Sequence, residues 1–405
     1  MNDTAASGPT RFGFFLAPYH PLTGNPTLQL HRDLELVSLA ERLGYAEAWV
    51  GEHHSAGLEI IAAPEVFLAA AAQRTSRIRL GTGVNSLPYH QPLMLADRLC
   101  LLDHLTMGRT MMGVGPGQLA TDAAMLGIDP VRQRDMMHES MAVLVRLLRG
   151  ETVTAETDWY RLGEARLQLL PYQPGGMEMA VASTISPSGA VLAGRHGAGL
   201  LSLAASDPSG YEALVPNWKV YEKTLLEHGH AVDRSRWRLV APMHLAETRE
   251  QAMRDAEWGV GHLVEYIEKL SGRTAPWGRS PRDAVRQWVG EGFPAFGRAT
   301  IGTPDDAIAA IEKLTEQSGG FGTFLLLGLN IADWDATQRS ARLFAEYVIP
   351  HFTRANRNRV ASLEWAEANS ERMIGGLQAG IQSAFDKHGR TLAAALGADT
   401  DEEGH

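Results

Sequence analysis

Eight short strand-like segments, nearly all followed by a helix-like segment, are the feature that most constrains this 405-residue sequence. The strand-like segments are rich in β-branched and aromatic residues, and the helix-like segments repeat apolar residues every three or four positions. The predicted strands are Arg11–Leu16, Tyr45–Val50, Ile78–Val84, Arg109–Val114, Met177–Ala182, Gly199–Leu203, Arg238–Leu245 and Phe321–Leu327. Strands alternating with helices predict a parallel sheet, and eight such units predict an α/β fold closed into a (β/α)8 TIM barrel.

A doubly wound open sheet is the alternative fold for the same alternation. Its dinucleotide-binding version requires Gly-x-Gly-x-x-Gly directly after the first strand. The nearest pattern here, Gly113-Val114-Gly115-Pro116-Gly117, follows the fourth predicted strand and has a different spacing. We therefore interpret it as a tight turn between a strand and a helix.

The predicted barrel occupies residues 1–350 and is interrupted twice by segments that break the alternation. The insertions lie near residues 150–176 and 248–300, and either is a candidate for a lid over the strand ends. Residues 351–405 form a polar, helical C-terminal extension, whose last residues, Asp399 to His405, are expected to be disordered.

Composition excludes several classes of function. The formal net charge is −10, which argues against nucleic acid or an anionic membrane surface as the main partner. Cys100 is the only cysteine, and it lies in an apolar stretch, which indicates a core residue. The sequence contains neither an N-terminal apolar targeting segment nor an apolar run of membrane-spanning length, so we expect a cytoplasmic location.

The segment Gly51-Glu52-His53-His54 follows the second predicted strand and carries two adjacent histidines. Catalytic residues of parallel α/β barrels lie at the C-terminal ends of the strands, and histidine changes charge near neutral pH. Adjacent side chains of an extended chain point in opposite directions, so only one imidazole can face a given pocket. The spacing does not match a helical zinc motif, and no metal site is predicted.

Three further strand ends carry residues suited to ligand binding. Gly83, Val84 and Asn85 follow the third strand and Gly115 follows the fourth, where glycine allows a flat ring to approach the backbone. After the fifth strand, the hydroxyl-rich segment with Ser183, Thr184 and Ser186 leads into a helix N-terminus, which favours an anion. Arg134 begins a neighbouring helix and is a candidate second ligand for that anion. The alternative is that the serines only cap the helix.

These residues resemble the bacterial luciferase-like flavin monooxygenases over the whole barrel, from Phe12 to about Tyr347. Five motifs in order carry the resemblance: Ala48–His54, Arg79–Val84 with Leu87-Pro88, Leu102–Arg109, Val181–Ser186 and Ile301–Pro304. Within that family the chain resembles the limonene 1,2-monooxygenase-like subgroup, in Ala17–Pro21, Asn25–Thr27 and the tail after the barrel.

The resemblance implies a role for individual residues. His53 matches a catalytic histidine beside the flavin C4a position, and Gly83-Val84 matches a segment against the isoalloxazine, often with a non-proline cis peptide. Arg134 and Ser186 match ligands of the flavin phosphate. The chain departs from luciferase at Pro116, where luciferase has a phosphate-binding arginine, and at Gly115, where luciferase has a reactive cysteine. Light emission is therefore not implied.

The implied function is a two-component monooxygenase. Reduced FMN from a separate NAD(P)H-dependent flavin reductase would react with O2 through a C4a-(hydro)peroxide and oxygenate a small apolar substrate, such as a terpene, aldehyde or ketone. The alternatives are an F420-dependent oxidoreductase on the same barrel and a non-catalytic flavin-binding partner subunit. The resemblance also implies a homodimer or higher homo-oligomer.

Overall fold

Eight parallel strands close into a barrel in the computed structural model, which describes residues 8–271, 280–293 and 296–387. The barrel strands are β1 Arg11–Leu16, β2 Glu47–Val50, β3 Arg79–Thr82, β4 Thr110–Gly115, β5 Glu178–Ser183, β6 Gly199–Ser202, β7 Trp237–Ala241 and β8 Thr323–Gly328. Each pairs with its neighbours in chain order, and β8 pairs with β1 to complete the circle. The predicted (β/α)8 TIM barrel is confirmed.

Helices surround the barrel and commonly begin at a proline. Helices of the first unit are Pro26–Arg42, Pro64–Ala72, Pro92–Leu105, Ala120–Met125, Gln133–Leu148, Ser188–His196, Pro208–Glu227, Arg249–Ser271, Pro281–Gly290, Pro304–Ser318, Trp334–Leu343 and, after a π-helical turn at Phe344–Val348, Ile349–Thr353. Proline suits the first helical position because its missing N–H would have no partner there. The preceding Asn25, Asp207 and Ser280 add side-chain caps to their helices.

The barrel interior is filled by one apolar layer above a buried ion network. Trp49 lies at the centre of the layer, and a Cβ atom added at Gly81 would lie 2.5 Å from its ring. Below it, Arg238 is fully buried and donates to Glu47 at 2.7 and 2.9 Å and to Glu178 at 2.7 Å. Although burial raises the pKa of Glu178, the charges of Arg238 and Arg79 outweigh it and lower the pKa to about 2. The closed lower end leaves the upper, C-terminal end for the site.

The prediction of one continuous seventh strand, Arg238–Leu245, is wrong. The structure ends β7 at Ala241 and starts a separate short strand, Met243–Leu245, which pairs with Thr300–Gly302. Pro242 lies between them and has no N–H to donate to the sheet, so the ladder breaks there. The Pro242 carbonyl accepts a hydrogen bond from Thr300 N at 3.0 Å.

The first insertion forms an antiparallel hairpin, Val153–Glu156 with Arg161–Ala165, on the outer side of the barrel. Trp159 Nε1 donates to Glu139 on helix Gln133–Leu148 at 2.7 Å, and Gln173 Nε2 donates to the Thr110 carbonyl at the start of β4 at 2.8 Å. Our expectation of a lid is therefore wrong for the body of the hairpin, whereas its tip, Asp158 and Trp159, lines a cavity with Tyr89 of the segment after β3. The buried apolar residues of this insertion pack instead against the helix layer.

The second insertion contributes helices Arg249–Ser271 and Pro281–Gly290 and forms an apolar cluster above the barrel, which we call the roof cluster. Its buried members are Tyr19, Leu58, Ala246, Ala252, Ala256, Val260, Leu263, Ala284, Val285, Trp288, Phe293, Ala299, Ile301, Leu329 and Ile331. Tyr19, Leu58 and Leu329 come from the loops that follow β1, β2 and β8. The cluster therefore lies at the C-terminal ends of those strands, as expected for a lid.

The chain divides after Thr353 into a second unit. This unit contains helices Arg357–Ala368 and Ser370–Lys387, and none of their residues is buried. A helical extension is thus present, starting three residues later than the predicted boundary. The predicted disorder of Asp399 to His405 lies outside the described residues.

Candidate active site

The carboxyl ends of four consecutive strands bring the predicted site residues to one side of the barrel mouth. β2, β3, β4 and β5 are neighbours, with Val50 opposite Thr82 and Val114 opposite Val181. His53 follows β2, Gly83, Val84 and Asn85 follow β3, Gly115 ends β4, and Ser183 ends β5. Because parallel strands end at the same edge, residues far apart in sequence share this region.

Gly83, Val84 and Gly115 form a backbone surface that we call the glycine shelf. The peptide bond between Gly83 and Val84 is cis, which is the feature that the resemblance implies. A Cβ atom added at Gly83 would lie 2.9 Å from the Phe15 ring, and one added at Gly115 would lie 2.6 Å from Val84 Cγ2. The lack of side chains at both positions is therefore required for the close packing of the shelf.

Asn85 continues the shelf into the protein interior. Its side chain is fully buried, and Nδ2 donates to Glu65 Oε2 at 3.4 Å. The Oδ1 atom has no hydrogen-bond partner among the described residues. Asn85 is thus a buried residue beneath the shelf with unused hydrogen-bonding capacity.

The imidazole of His53 lies between two carboxylates. Its Nδ1 atom lies 3.0 Å from Asp122 Oδ2, and Nε2 lies 3.6 Å from Glu59 Oε1. Burial lowers the pKa of His53, but the negative charges of Glu59 and Asp122 outweigh burial and raise the pKa to about 9. The imidazole therefore holds its proton more firmly than a free histidine, with Nδ1–H donated to Asp122 and Nε2 facing Glu59.

Asp122 also fixes the backbone that carries His53. Its Oδ1 atom accepts from the backbone N of His54 at 3.0 Å and from the Ser55 hydroxyl at 2.5 Å. The pKa of Asp122 is lowered, because these hydrogen bonds and the charge of His53 outweigh the burial that would raise it. Asp122 thus sets the position of the histidine and, together with Glu59, favours its protonated form.

His54 makes a different contact and points to a different partner. Its Nε2 atom lies 2.9 Å from Glu52 Oε1, which also lies 2.7 Å from Nε2 of His90. The second oxygen of Glu52 accepts from the backbone N of Ser86 at 2.7 Å. Glu52, which is 4% exposed, therefore ties the loop after β2 to the segment that follows the glycine shelf.

The segment Ser183–Pro187 at the end of β5, which we call the serine loop, leads into the N-terminus of helix Ser188–His196. Asn217 Nδ2 donates to the Thr184 carbonyl at 3.1 Å, and a Cβ atom at Gly189 would lie 2.3 Å from the Ala182 carbonyl oxygen. Thr184 and Ser186 are exposed, whereas the buried Ser183 hydroxyl lacks a partner among the described residues. The loop presents hydroxyls at the positive end of helix Ser188–His196.

Arg134 lies in the first turn of helix Gln133–Leu148 and is exposed. This helix contacts helix Ser188–His196, so the N-terminal turns that hold Arg134 and the serine loop belong to neighbouring units of the barrel. No hydrogen bond or ion pair of the Arg134 side chain occurs within the described ranges. Its guanidinium is therefore available to a ligand.

Sequence reasoning missed Asp122 and Glu59. Asp122 lies on the short helix Ala120–Met125 after β4, and Glu59 lies in the loop between β2 and helix Pro64–Ala72. The sequence signal for them was weak, since each is only an acidic residue in the connection that follows a barrel strand. Asp122 is 69 positions from His53, so their pairing depends on the packing of β2, β3 and β4, whereas Glu59 lies in the same loop as His53.

Comparison with known proteins identifies the family of this chain. A family model described as luciferase-like monooxygenase matches residues 10–320. The chain belongs to the luciferase-like monooxygenase family. It is 49% identical to limonene 1,2-monooxygenase from Rhodococcus erythropolis over 345 residues, which cover 85% of this chain and 87% of the relative. The predicted subgroup resemblance is thereby confirmed.

Two further proteins that this chain resembles extend the comparison. The chain is 44% identical to 4-hydroxyprotoasukamycin monooxygenase from Streptomyces nodosus subsp. asukaensis, covering 87% of this chain and 95% of the relative. The solved oxygenating constituent of 3,6-diketocamphane monooxygenase from Pseudomonas putida, a type II Baeyer-Villiger monooxygenase in complex with FMN, superposes with a TM-score of 0.69 at 26% identity. That match covers 84% of this chain and 98% of the solved one.

The described helices include no candidate membrane span, since none combines sufficient length with sufficient apolar character. The described part of the chain also contains no group of three or more histidine, cysteine, aspartate or glutamate side chains arranged to hold a metal ion.

Proposed function

We propose that this chain is the oxygenating component of a two-component flavin monooxygenase. It takes reduced FMN from a separate NAD(P)H-dependent flavin reductase and uses O2 to oxygenate a small apolar substrate. The observation that carries the proposal is the position of His53, held by Asp122 at 3.0 Å, in the loop after β2, which is the strand next to β3 and the glycine shelf. The family membership and the FMN-bound solved relative support the choice of flavin.

The described residues suit both the isoalloxazine ring and the phosphate of FMN. The glycine shelf lies at the C-terminal ends of β3 and β4, next to the loop that carries His53, and there we place the flat ring of the flavin. The exposed hydroxyls of Thr184 and Ser186 at a helix N-terminus, with the unpaired Arg134 on the adjoining unit, suit a phosphate. We assign Gly83, Val84, Asn85, Gly115, Arg134, Ser183, Thr184 and Ser186 to cofactor binding on this basis.

Bound reduced flavin would supply the electrons that activate O2. The role of this chain is then orientation, proton control and exclusion of water. His53 holds a proton at Nε2 that it can donate or share, and Asp122 keeps the ring in that orientation. The roof cluster provides an apolar cover, which limits the entry of water to the strand ends.

An anaerobic titration tests the cofactor. Purified chain is titrated with reduced FMN, reduced riboflavin and reduced F420, and binding is followed by fluorescence. We expect reduced FMN to bind more tightly than riboflavin and F420. Preferential binding of F420 would instead indicate the hydride-transferring alternative on the same barrel.

A turnover experiment tests the reaction. The chain is combined with FMN, NADH, a flavin reductase and candidate terpenes, aldehydes or ketones, and oxygenated product is measured against oxygen consumed. We expect product that depends on the chain, on the reductase and on O2. Tight FMN binding without product from any substrate would favour a non-catalytic flavin-binding subunit.

A further inference from the structure

Three polar side chains meet beside the roof cluster without hydrogen bonds to the rest of the described chain. Tyr19 follows β1, Glu59 lies in the loop after β2, and Tyr266 lies on helix Arg249–Ser271 of the second insertion. Tyr19 is 3% exposed, and its hydroxyl has no partner among the described residues. The rings of Tyr19 and Tyr266 pack edge to face, with centroids 4.9 Å apart. We call these three residues the polar triad.

The triad adjoins the catalytic candidate. Glu59 Oε1 lies 3.6 Å from His53 Nε2, and the Glu59 side chain is 15% exposed. Burial is the main cause that raises the pKa of both Tyr19 and Tyr266, and the Glu59 carboxylate adds to it. Both phenols therefore keep their protons and remain hydrogen-bond donors. A molecule oxygenated near His53 would lie against them.

A buried network holds the backbone of the triad in place. The backbone N of His20 donates to the Leu58 carbonyl at 3.0 Å, and the His20 ring bridges that carbonyl and Asp33, at 2.7 Å from each. Asn330 Nδ2 donates to the Tyr19 carbonyl at 3.3 Å. Since His20 and Asp33 are each nearly fully buried, the positions of Tyr19 and Glu59 are built into the fold.

The apolar surroundings of the triad make a polar group without a hydrogen-bond partner energetically unfavourable there. Apolar members of the roof cluster, such as Leu58, Leu263 and Ile331, supply no hydrogen bonds from their side chains. A buried hydroxyl without a partner is rare in proteins, and each such group calls for an explanation such as a ligand or an ordered water. Here the buried Tyr19 hydroxyl has no partner among the described residues, its ring packs on Tyr266, and Glu59 is paired with His53, which points to a ligand that carries oxygen.

We propose that Tyr19, Glu59 and Tyr266 recognise an oxygen atom of the substrate, a carbonyl or hydroxyl group on an otherwise apolar molecule. A carbonyl oxygen can accept from both phenols, and a hydroxyl can in addition donate to Glu59. A hydrocarbon leaves the buried Tyr19 hydroxyl without a partner among the described residues, and so limonene is not the preferred kind of substrate. This inference rests on the proposed function, because it places the substrate next to His53.

The test compares molecules that share one carbon skeleton: limonene, the corresponding ketone carvone and the corresponding alcohol carveol. Binding to the purified full chain is followed by quenching of tryptophan fluorescence, and coupling is measured as product per O2 consumed with FMN and a reductase. We expect carvone or carveol to bind at least about tenfold more tightly than limonene, the effect of one well-placed hydrogen bond. We expect coupling to follow the same order.

Tyr19→Phe removes only the hydroxyl and should abolish most of this preference while leaving limonene binding unchanged. Tyr221→Phe is the matched control, since the buried Tyr221 hydroxyl donates to the Ala198 carbonyl at 2.7 Å elsewhere in the fold. It should retain the preference. Equal binding of carvone, carveol and limonene by the natural chain, or a preference that survives Tyr19→Phe, would overturn the inference and indicate that water fills the triad. Absence of product from all three molecules would count against the proposed function, whereas the binding titration still decides the inference.

Discussion

Nδ1 of His53 lies 3.0 Å from Oδ2 of Asp122, and this pair joins the loop after β2 to the short helix after β4. The contact crosses β3, whose end carries Gly83 and Val84. The carboxylate therefore orients the imidazole relative to the glycine shelf.

The first prediction concerns pH and stability. Folding raises the pKa of His53 to about 9 from an ordinary value near 6.5, so folding favours the charged ring. This stabilisation is fully present below about pH 6.5 and is lost as pH rises to about 9, and it amounts to on the order of 3 kcal/mol. In urea unfolding, Asp122→Asn should destabilise the chain more at about pH 6 than at about pH 9.5. An equal loss at both pH values would show that Asp122 does not set the charge of His53.

The second prediction separates the two adjacent histidines. His53→Ala should leave binding of reduced FMN nearly intact and lower product formation by about 10²- to 10⁴-fold, the range for loss of a positioned acid–base group. The consumed oxygen should then appear as hydrogen peroxide. His54→Ala breaks the contact with Glu52 and should instead cost about 1–3 kcal/mol of stability. The measurement is product per NADH consumed in each variant, and uncoupling confined to His54→Ala would reverse the two roles.

The third prediction concerns the phosphate of FMN. Arg134→Ala should weaken binding of reduced FMN by about 1.5–3 kcal/mol, the scale of a hydrogen bond to a charged group. Binding of reduced riboflavin, which has no phosphate, should change little. Fluorescence titration with both flavins supplies the comparison, and an equal loss for the two would place Arg134 away from the phosphate.

The fourth prediction concerns the glycine shelf. Gly115→Ala places a Cβ atom 2.6 Å from Val84 Cγ2, so Val84 must shift, at a cost of about 1–3 kcal/mol for overpacking. We expect weaker binding of both FMN and riboflavin, because the ring surface itself is displaced. Gly163→Ala, on the outer hairpin with open space around its Cβ position, is the matched control and should bind both flavins normally.

The fifth prediction concerns assembly. Helices Pro64–Ala72 and Pro92–Leu105 expose Val66 at 67%, Met94 at 54%, Leu101 at 52% and Leu105 at 51%. Exposed apolar patches of this kind mark interaction surfaces, and we expect a homodimer or higher homo-oligomer that buries them. Sedimentation should show an oligomer at micromolar concentration that Leu101→Glu with Leu105→Glu dissociates. A natural chain that is monomeric in the same experiment would contradict the prediction.

Local sequence was sufficient to locate the barrel strands and His53. Strand and helix periodicities depend on neighbouring residues, so eight units were visible without any tertiary contact. The same periodicity placed His53 and Gly83 at strand ends, where a parallel barrel has its site. Pro242 was also visible, yet its effect on the seventh strand was missed, because the break required a partner strand at Thr300–Gly302.

Tertiary structure alone decided the partners of these residues. Asp122 meets His53 only because β2 and β4 lie on either side of β3, and Tyr266 meets Tyr19 only because the second insertion folds over the strand ends. The first insertion had the same polar appearance in sequence but packs on the outer helix layer, where its apolar residues find a buried surface. Sequence thus determined which elements form and which residues end them. Packing between distant elements decided the orientation of His53, the charges around it and which insertion covers the strand ends.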